Sequence, residues 1–149
     1  MFATPSFFFF FSAIAGFEPL LGDSHWRIAP AVVGASSEVT SASATVWTVK
    51  GSMSIAWALR SASPWLLEMN LSAPLGLRGD LAMPLPSVLR SADECNVYEA
   101  GKLVWRARTF IGGVPGVISA NISHTVARGD SVVITVEGGS YALDMSCSD

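Results

Sequence analysis

Two histidines and five tryptophans are the residues whose chemistry this sequence puts forward first. His25 follows Asp23 by two positions, a spacing at which a carboxylate can orient an imidazole as a general base. His124 sits between Ser123 and Thr125, ahead of Arg128, and is placed to reach a pocket mouth. Both are weak acid–base candidates, because a histidine leading into a strand or a loop is more often a plain surface residue. Trp47, Trp65 and Trp105 are candidate ligand contacts, since indole rings stack on sugar faces or line apolar pockets. Tyr98 and Arg106 join them as polar groups for a pocket wall. Trp26 and Trp57 read as core residues instead. No metal ligand set is expected, because the histidines are too few and neither Cys95 nor Cys147 lies in a CxxC pair. No glycine-rich nucleotide loop, HExxH or GxSxG is present, so no cofactor is implied.

The elements that must position these residues are strands. Met53, Ile55, Trp57 and Leu59 alternate with Ser54, Ala56 and Ala58, which gives a strand one heavy face. Trp65, Leu67, Met69 and Leu71 repeat the pattern, and Ser61 to Pro64 between the two runs predicts a hairpin turn. Leu75 and Leu77, then Leu81, Met83 and Leu85, flank Arg78-Gly79-Asp80, which reads as another turn. Gly101 and Lys102 predict a turn into a strand on which Leu103 and Trp105 share a face. Lys102, Arg106 and Arg108 would share one solvated face. Val132, Ile134 and Val136 lead to a turn at Gly138-Gly139 and then to Tyr141, Leu143 and Met145, with Arg128-Gly129-Asp130 as a further turn. Only Ser87 to Glu94 suggests helix, for one or two turns. No heptad or internal repeat appears. The fold class is therefore all-β, an antiparallel two-sheet sandwich of jelly-roll type with little helix, in one domain over residues 1–149.

Composition narrows the partners. Apolar residues make up 50% of the 149 and charged residues 14%, against roughly 25% in an average soluble domain, so a well-filled core is expected and disorder is excluded. The net charge of −3 and the thin spread of nine Lys and Arg exclude a nucleic-acid surface. Phe7 to Ala15 is either a first strand buried on both faces or a signal-like segment ending at Ala13-Ile14-Ala15. No Lys or Arg precedes it, and it is too short to cross a bilayer as a helix, so no transmembrane segment is expected. Two sequons, Asn70-Leu71-Ser72 and Asn121-Ile122-Ser123, would suit a secreted chain, but the missing basic leader leans the balance toward the cytoplasm. Cys95 and Cys147 are either one bridge, contributing about 4 kcal/mol by loop closure, or two buried thiols; spacing does not choose.

The order of the segments resembles the carboxy-terminal β-sandwich of α-L-rhamnosidases. Trp26 to Pro30 is similar to that family's tryptophan-to-proline strand, and Thr48 to Gly51 leading into Ser54 to Trp57 resembles its turn and tryptophan-ended strand. Leu67 to Pro74 and Leu81 to Pro86 resemble two strands that end at proline. Val97 to Gly101 with Lys102 to Trp105 resembles a hairpin, and Gly138 to Leu143 resembles the closing glycine-to-tyrosine strand. The likeness runs over roughly residues 7 to 145. It implies a sandwich and does not imply catalysis, because the family's catalytic acids belong to an (α/α)₆ barrel that has no counterpart in this chain. No catalytic residue carries over.

Three functions fit these residues. A non-catalytic carbohydrate-binding, ligand-binding or structural module would expose aromatics on a sheet face. A small cyclase- or isomerase-type enzyme would enclose an apolar intermediate in an aromatic-lined pocket. A fragment without a role of its own would expose an apolar patch where a barrel once packed. A small molecule or carbohydrate is the expected partner, and an apolar face would also allow a homo-oligomer.

Overall fold

Apolar side chains at every second position can be buried together only if the backbone is extended and paired. The computed structural model describes residues 16–18, 25–30, 39–48, 50–62, 64–86, 92–125 and 129–148. Its strands are β1 (Phe17–Glu18), β2 (His25–Ile28), β3 (Ser41–Thr48), β4 (Gly51–Ala62), β5 (Trp65–Pro84), β6 (Cys95–Glu99), β7 (Lys102–Arg106), β8 (Thr109–Phe110), β9 (Val117–Thr125) and β10 (Gly129–Cys147). The only helix among the described residues is a short 3₁₀ turn at Ala92–Glu94; the rest of the expected helical segment lies outside them. Phe7 to Ala15 also lies outside the described residues. No helix among them is long and apolar enough to cross a membrane.

The spine is a long antiparallel ribbon of β5 and β10, paired from Trp65↔Cys147 to Pro84↔Ser131. The ribbon is interrupted once. Ala73 pairs with Gly139 and Arg78 with Glu137, so residues 74–77 of β5 stand opposite the single Gly138. On one side of this bulge the neighbours run β3-β4-β5-β10-β6-β7-β8. On the other they run β1-β2-β5-β10-β9, with β2 parallel to β5 and every other pairing antiparallel. The fold is all-β and nearly all antiparallel, as expected, and hydrogen bonding joins both groups of strands through the shared ribbon. One core cluster draws on both halves: Trp26, Ile28, Leu81, Ile134 and Val136 from one, Ile55, Trp57, Met69, Leu143 and Met145 from the other. Each such side chain, fully removed from water, contributes about 1.5–3 kcal/mol.

Two expected turns are strand interiors. Arg78-Gly79-Asp80 and Gly138-Gly139 both lie within the ribbon, and the chain reverses at neither. Gly79 and Gly138 are glycines for space rather than for turning. A Cβ on Gly79 would lie 2.0 Å from the Trp26 ring, and one on Gly138 would lie 2.1 Å from the Pro74 carbonyl oxygen. The turn expected at Gly101-Lys102 forms one residue earlier, at Ala100-Gly101, with Lys102 already paired to Glu99 and both turn residues at positive φ. The β4–β5 hairpin also closes as expected, Ala62 on Trp65. Of Arg128-Gly129-Asp130, Arg128 lies outside the described residues, and Gly129 and Asp130 already pair in β10.

The register of β7 departs from simple alternation. A shift between Val97 and Tyr98 sets Trp105 opposite Val97 and Leu103 opposite Tyr98, so neighbouring Val104 and Trp105 are both buried. Arg108 falls in the turn after β7, apart from Lys102 and Arg106 on the strand. Cys95 and Cys147 are direct cross-strand partners of β6 and β10, and they form a disulfide buried at both ends. That closes the question the spacing left open.

Candidate functional site

The outward positions of β3, β4, β5 and β10 carry unusually small side chains, which leaves a groove of about 640 Å³ across the sheet, open to solvent. Its floor follows from register. Thr45 pairs with Ser54, Ser54 with Ser72, and Ser72 with Ser140, so four side-chain hydroxyls lie in one line across four strands. At the usual strand spacing of about 4.8 Å that line spans roughly 14 Å. The next row is Ser43, Ala56, Asn70 and Ala142, and Glu99 closes its far end by accepting a hydrogen bond from the Ala142 N–H at 3.3 Å. The third row is Ser41, Ala58, Glu68, Asp144 and Tyr98. Alternation on β3 puts Trp47 on the same face as Thr45, one step beyond it, and its ring is 84% exposed.

The electrostatics of this face are mildly acidic. Among the described residues Glu99 is the sole charged one lining the groove. Burial, and then the Glu68 carboxylate beside it, raise the Asp144 carboxyl above its ordinary value. Beneath the floor, burial first and then the charges of Glu137 and Glu99 raise the Tyr141 phenol. Tyr141 therefore keeps its proton and donates it to the Glu137 carbonyl at 2.8 Å. A groove with neutral donors and acceptors and one carboxylate can bind a polyhydroxylated ligand. Among its described lining residues Glu99 is the one carboxylate, whereas glycoside hydrolysis uses an acid and a second carboxylate.

A second depression of about 490 Å³ lies at the bulge, lined by His25, Arg78, Glu137, Gly138 and residues 75–77. Asp23, the expected partner of His25, lies outside the described residues; His25 Nε2 meets Asp80 Oδ2 at 3.0 Å. Thr135 Oγ1 donates to the other Asp80 oxygen at 2.6 Å, and Arg78 faces Glu137 at 3.8 Å. Both oxygens of Asp80 are thus engaged in a cross-strand network, an arrangement that ties β2, β5 and β10 together. His124 pairs with Asp130, its cross-strand partner on β10, with both side chains exposed. The two histidines serve separate strand pairs. No group of His, Cys, Asp and Glu among the described residues is arranged to hold a metal ion.

The expected ligand residues are scattered. Trp47 flanks the groove. Tyr98 stands in the acidic third row, half-buried. Arg106 projects from β7 and donates to Asn96 Oδ1 at 3.2 Å, away from the groove. Trp65 and Trp105 are 4% and 0% exposed and belong to the core, because Trp65 continues the inward row of Leu67 and Met69 and the β7 bulge turns Trp105 inward. The hydroxyl row was absent from the sequence-based candidates. Its signal was the set of Ser and Ala residues alternating with Met53, Ile55 and Trp57.

The sequence matches no protein-family model and no curated protein. Among solved structures the fold is similar to α-L-rhamnosidase from Dictyoglumus thermophilum, with a TM-score of 0.66 and 20% identity over 93% of this chain. It is also similar to the Streptomyces avermitilis α-L-rhamnosidase crystallised with L-rhamnose, with a TM-score of 0.56 and 22% identity over 91% of this chain. The match takes up 13% and 10% of those enzymes, one domain's worth of each. The resemblance read from six ordered motifs thus extends to the fold.

Proposed function

We propose that this chain is a non-catalytic module that binds a neutral carbohydrate in the groove across β3, β4, β5 and β10. The observation that carries the reading is the row of four hydroxyls in register, with the exposed Trp47 ring at its edge. Hydroxyls and the Asn70 carboxamide exchange hydrogen bonds with sugar hydroxyls, and an indole face stacks on the apolar side of a pyranose. The small floor residues let a flat ring approach the backbone. Glu99, with Glu68 and Asp144 in the row beyond, disfavours uronic or sulfated chains, because no Lys or Arg among the described residues lines the groove to neutralise them. A roughly 14 Å row suits a short oligosaccharide rather than one sugar.

An enclosing cyclase-type pocket has less support. The groove is open and lined mainly by Ser and Ala, and the rings of Trp26, Trp65 and Trp105 are spent on the core. Titration calorimetry of the whole chain with neutral oligosaccharides, rhamnose-containing ones first, tests the proposal. Binding is expected in the parent chain and is lost in Ala56→Trp, which fills the groove from an outward position. Undetectable binding in the parent, or equal binding in Ala56→Trp, overturns it.

A further inference from the structure

We infer that Asn121 is an N-glycosylation site, modified as the chain passes through an oxidising secretory compartment. Three observations meet here. The Cys95–Cys147 disulfide lies inside the core, and such bridges form and persist in oxidising compartments rather than in a reducing cytosol. This weighs against the cytoplasmic expectation of the sequence reading. The sequon Asn121-Ile122-Ser123 lies on β9, where strand alternation sends Asn121 outward and packs Ile122 against the core. Among the described residues β9 hydrogen-bonds only to β10, and Asn121 is exposed on that edge strand.

Asn70 has the same local sequence and a different place. It is also exposed, but β5 is hydrogen-bonded on both sides there, to Ala56 of β4 and Ala142 of β10. A glycan on Asn70 would stand in the middle of the groove. The assignment of Asn121 does not depend on what the groove binds.

The donor is an oligosaccharide linked to a lipid through pyrophosphate, the class of donor that secretory compartments supply. The Asn121 Nδ2 forms a bond to the anomeric carbon as the sugar–phosphate C–O bond breaks. The lipid pyrophosphate leaves with that electron pair, and the amide gives up one proton. Ser123, two residues on, supplies the hydroxyl that defines the acceptor.

The test is to secrete the full chain from a eukaryotic cell and measure its mass before and after enzymatic removal of N-glycans. The parent chain and Asn70→Gln are expected to lose a glycan's mass, whereas Asn121→Gln and Ser123→Ala show no change. The Ser123→Ala variant keeps Asn121 itself, so agreement between the two variants separates loss of the acceptor from damage to the edge strand. A secreted parent chain without a glycan overturns the inference. So does a glycan that persists in Asn121→Gln and vanishes in Asn70→Gln.

Discussion

Replacing Gly79 with alanine separates two explanations of why glycine stands in the middle of β5. If Gly79 marked a turn, or merely loosened the strand, alanine would be neutral or stabilising by about 0.4–1 kcal/mol, because its backbone φ is not in the left-handed region and the unfolded chain would lose freedom. The structure assigns the glycine to Trp26 instead. A Cβ at Gly79 would sit 2.0 Å from the indole ring, about 1.4 Å inside ordinary contact at 3.4 Å. Backbone on one side and a ring buried among core side chains on the other leave neither partner free to move that far. Overpacking of this kind costs about 1–3 kcal/mol, and complete displacement of an aromatic side chain costs about 3–5. We expect Gly79→Ala to lose about 2–4 kcal/mol, which lowers a urea midpoint by about 1 M or more. Adding Trp26→Leu should return part of that loss, with a coupling of at least about 1 kcal/mol in the double-mutant cycle. An unchanged or raised midpoint in Gly79→Ala, or strict additivity with Trp26→Leu, refutes the assignment.

Three further outcomes follow from the same packing. The disulfide joins residues 52 apart, so the double variant Cys95→Ala/Cys147→Ala should lose about 4 kcal/mol of stability by loop closure; a loss under 1 kcal/mol in urea unfolding contradicts this. Among the described residues the buried Trp105 Nε1 donor has no acceptor, so Trp105→Phe should cost under about 1.5 kcal/mol while Trp105→Ala costs about 3–5, and equal losses in thermal unfolding would show that the donor is satisfied. Because the folded Asp144 carboxyl is raised above its usual value, its ionisation weakens the fold: the penalty is absent below the unfolded value of 3.8 and complete above the raised folded value. Asp144→Asn should therefore stabilise the chain at pH 7 and leave it unchanged at pH 3, and a gain at both pH values assigns the effect to something other than charge.

The alternation that made the strands legible also decided more than the expectations used. Trp65 stands in the same two-residue rhythm as Leu67, Met69 and Leu71, so its burial was already written there, and only its size suggested a ligand platform. Trp47 alternates with Ala44 and Val46 and falls on the opposite, solvent-facing side. Trp105 was less legible, because a bulge in β7 overrode the period. The glycine pairs misled for a related reason. Local turn chemistry at Arg78-Gly79-Asp80 and Gly138-Gly139 is real, but a tryptophan and a proline carbonyl distant in sequence use the same missing side chains. The disulfide and the hydroxyl row depend on which strands become neighbours. Cys95 meets Cys147 only because β6 pairs with β10, and Ser72 meets Ser140 only because the ribbon slips by three residues at Gly138. That information lies in long-range register, which spacing along the chain does not carry.

The groove reading meets its most direct test in the quenching of tryptophan fluorescence by acrylamide, measured with and without a bound neutral oligosaccharide. Trp26, Trp57, Trp65 and Trp105 are buried and Trp47 is 84% exposed, so quenching reports on Trp47 alone. The saccharide should shield that ring, and Trp47→Phe should remove both the quenchable signal and about tenfold or more of the affinity. A saccharide that binds while leaving Trp47 as quenchable as before, with affinity unaltered in Trp47→Phe, places the ligand elsewhere and contradicts the proposed site.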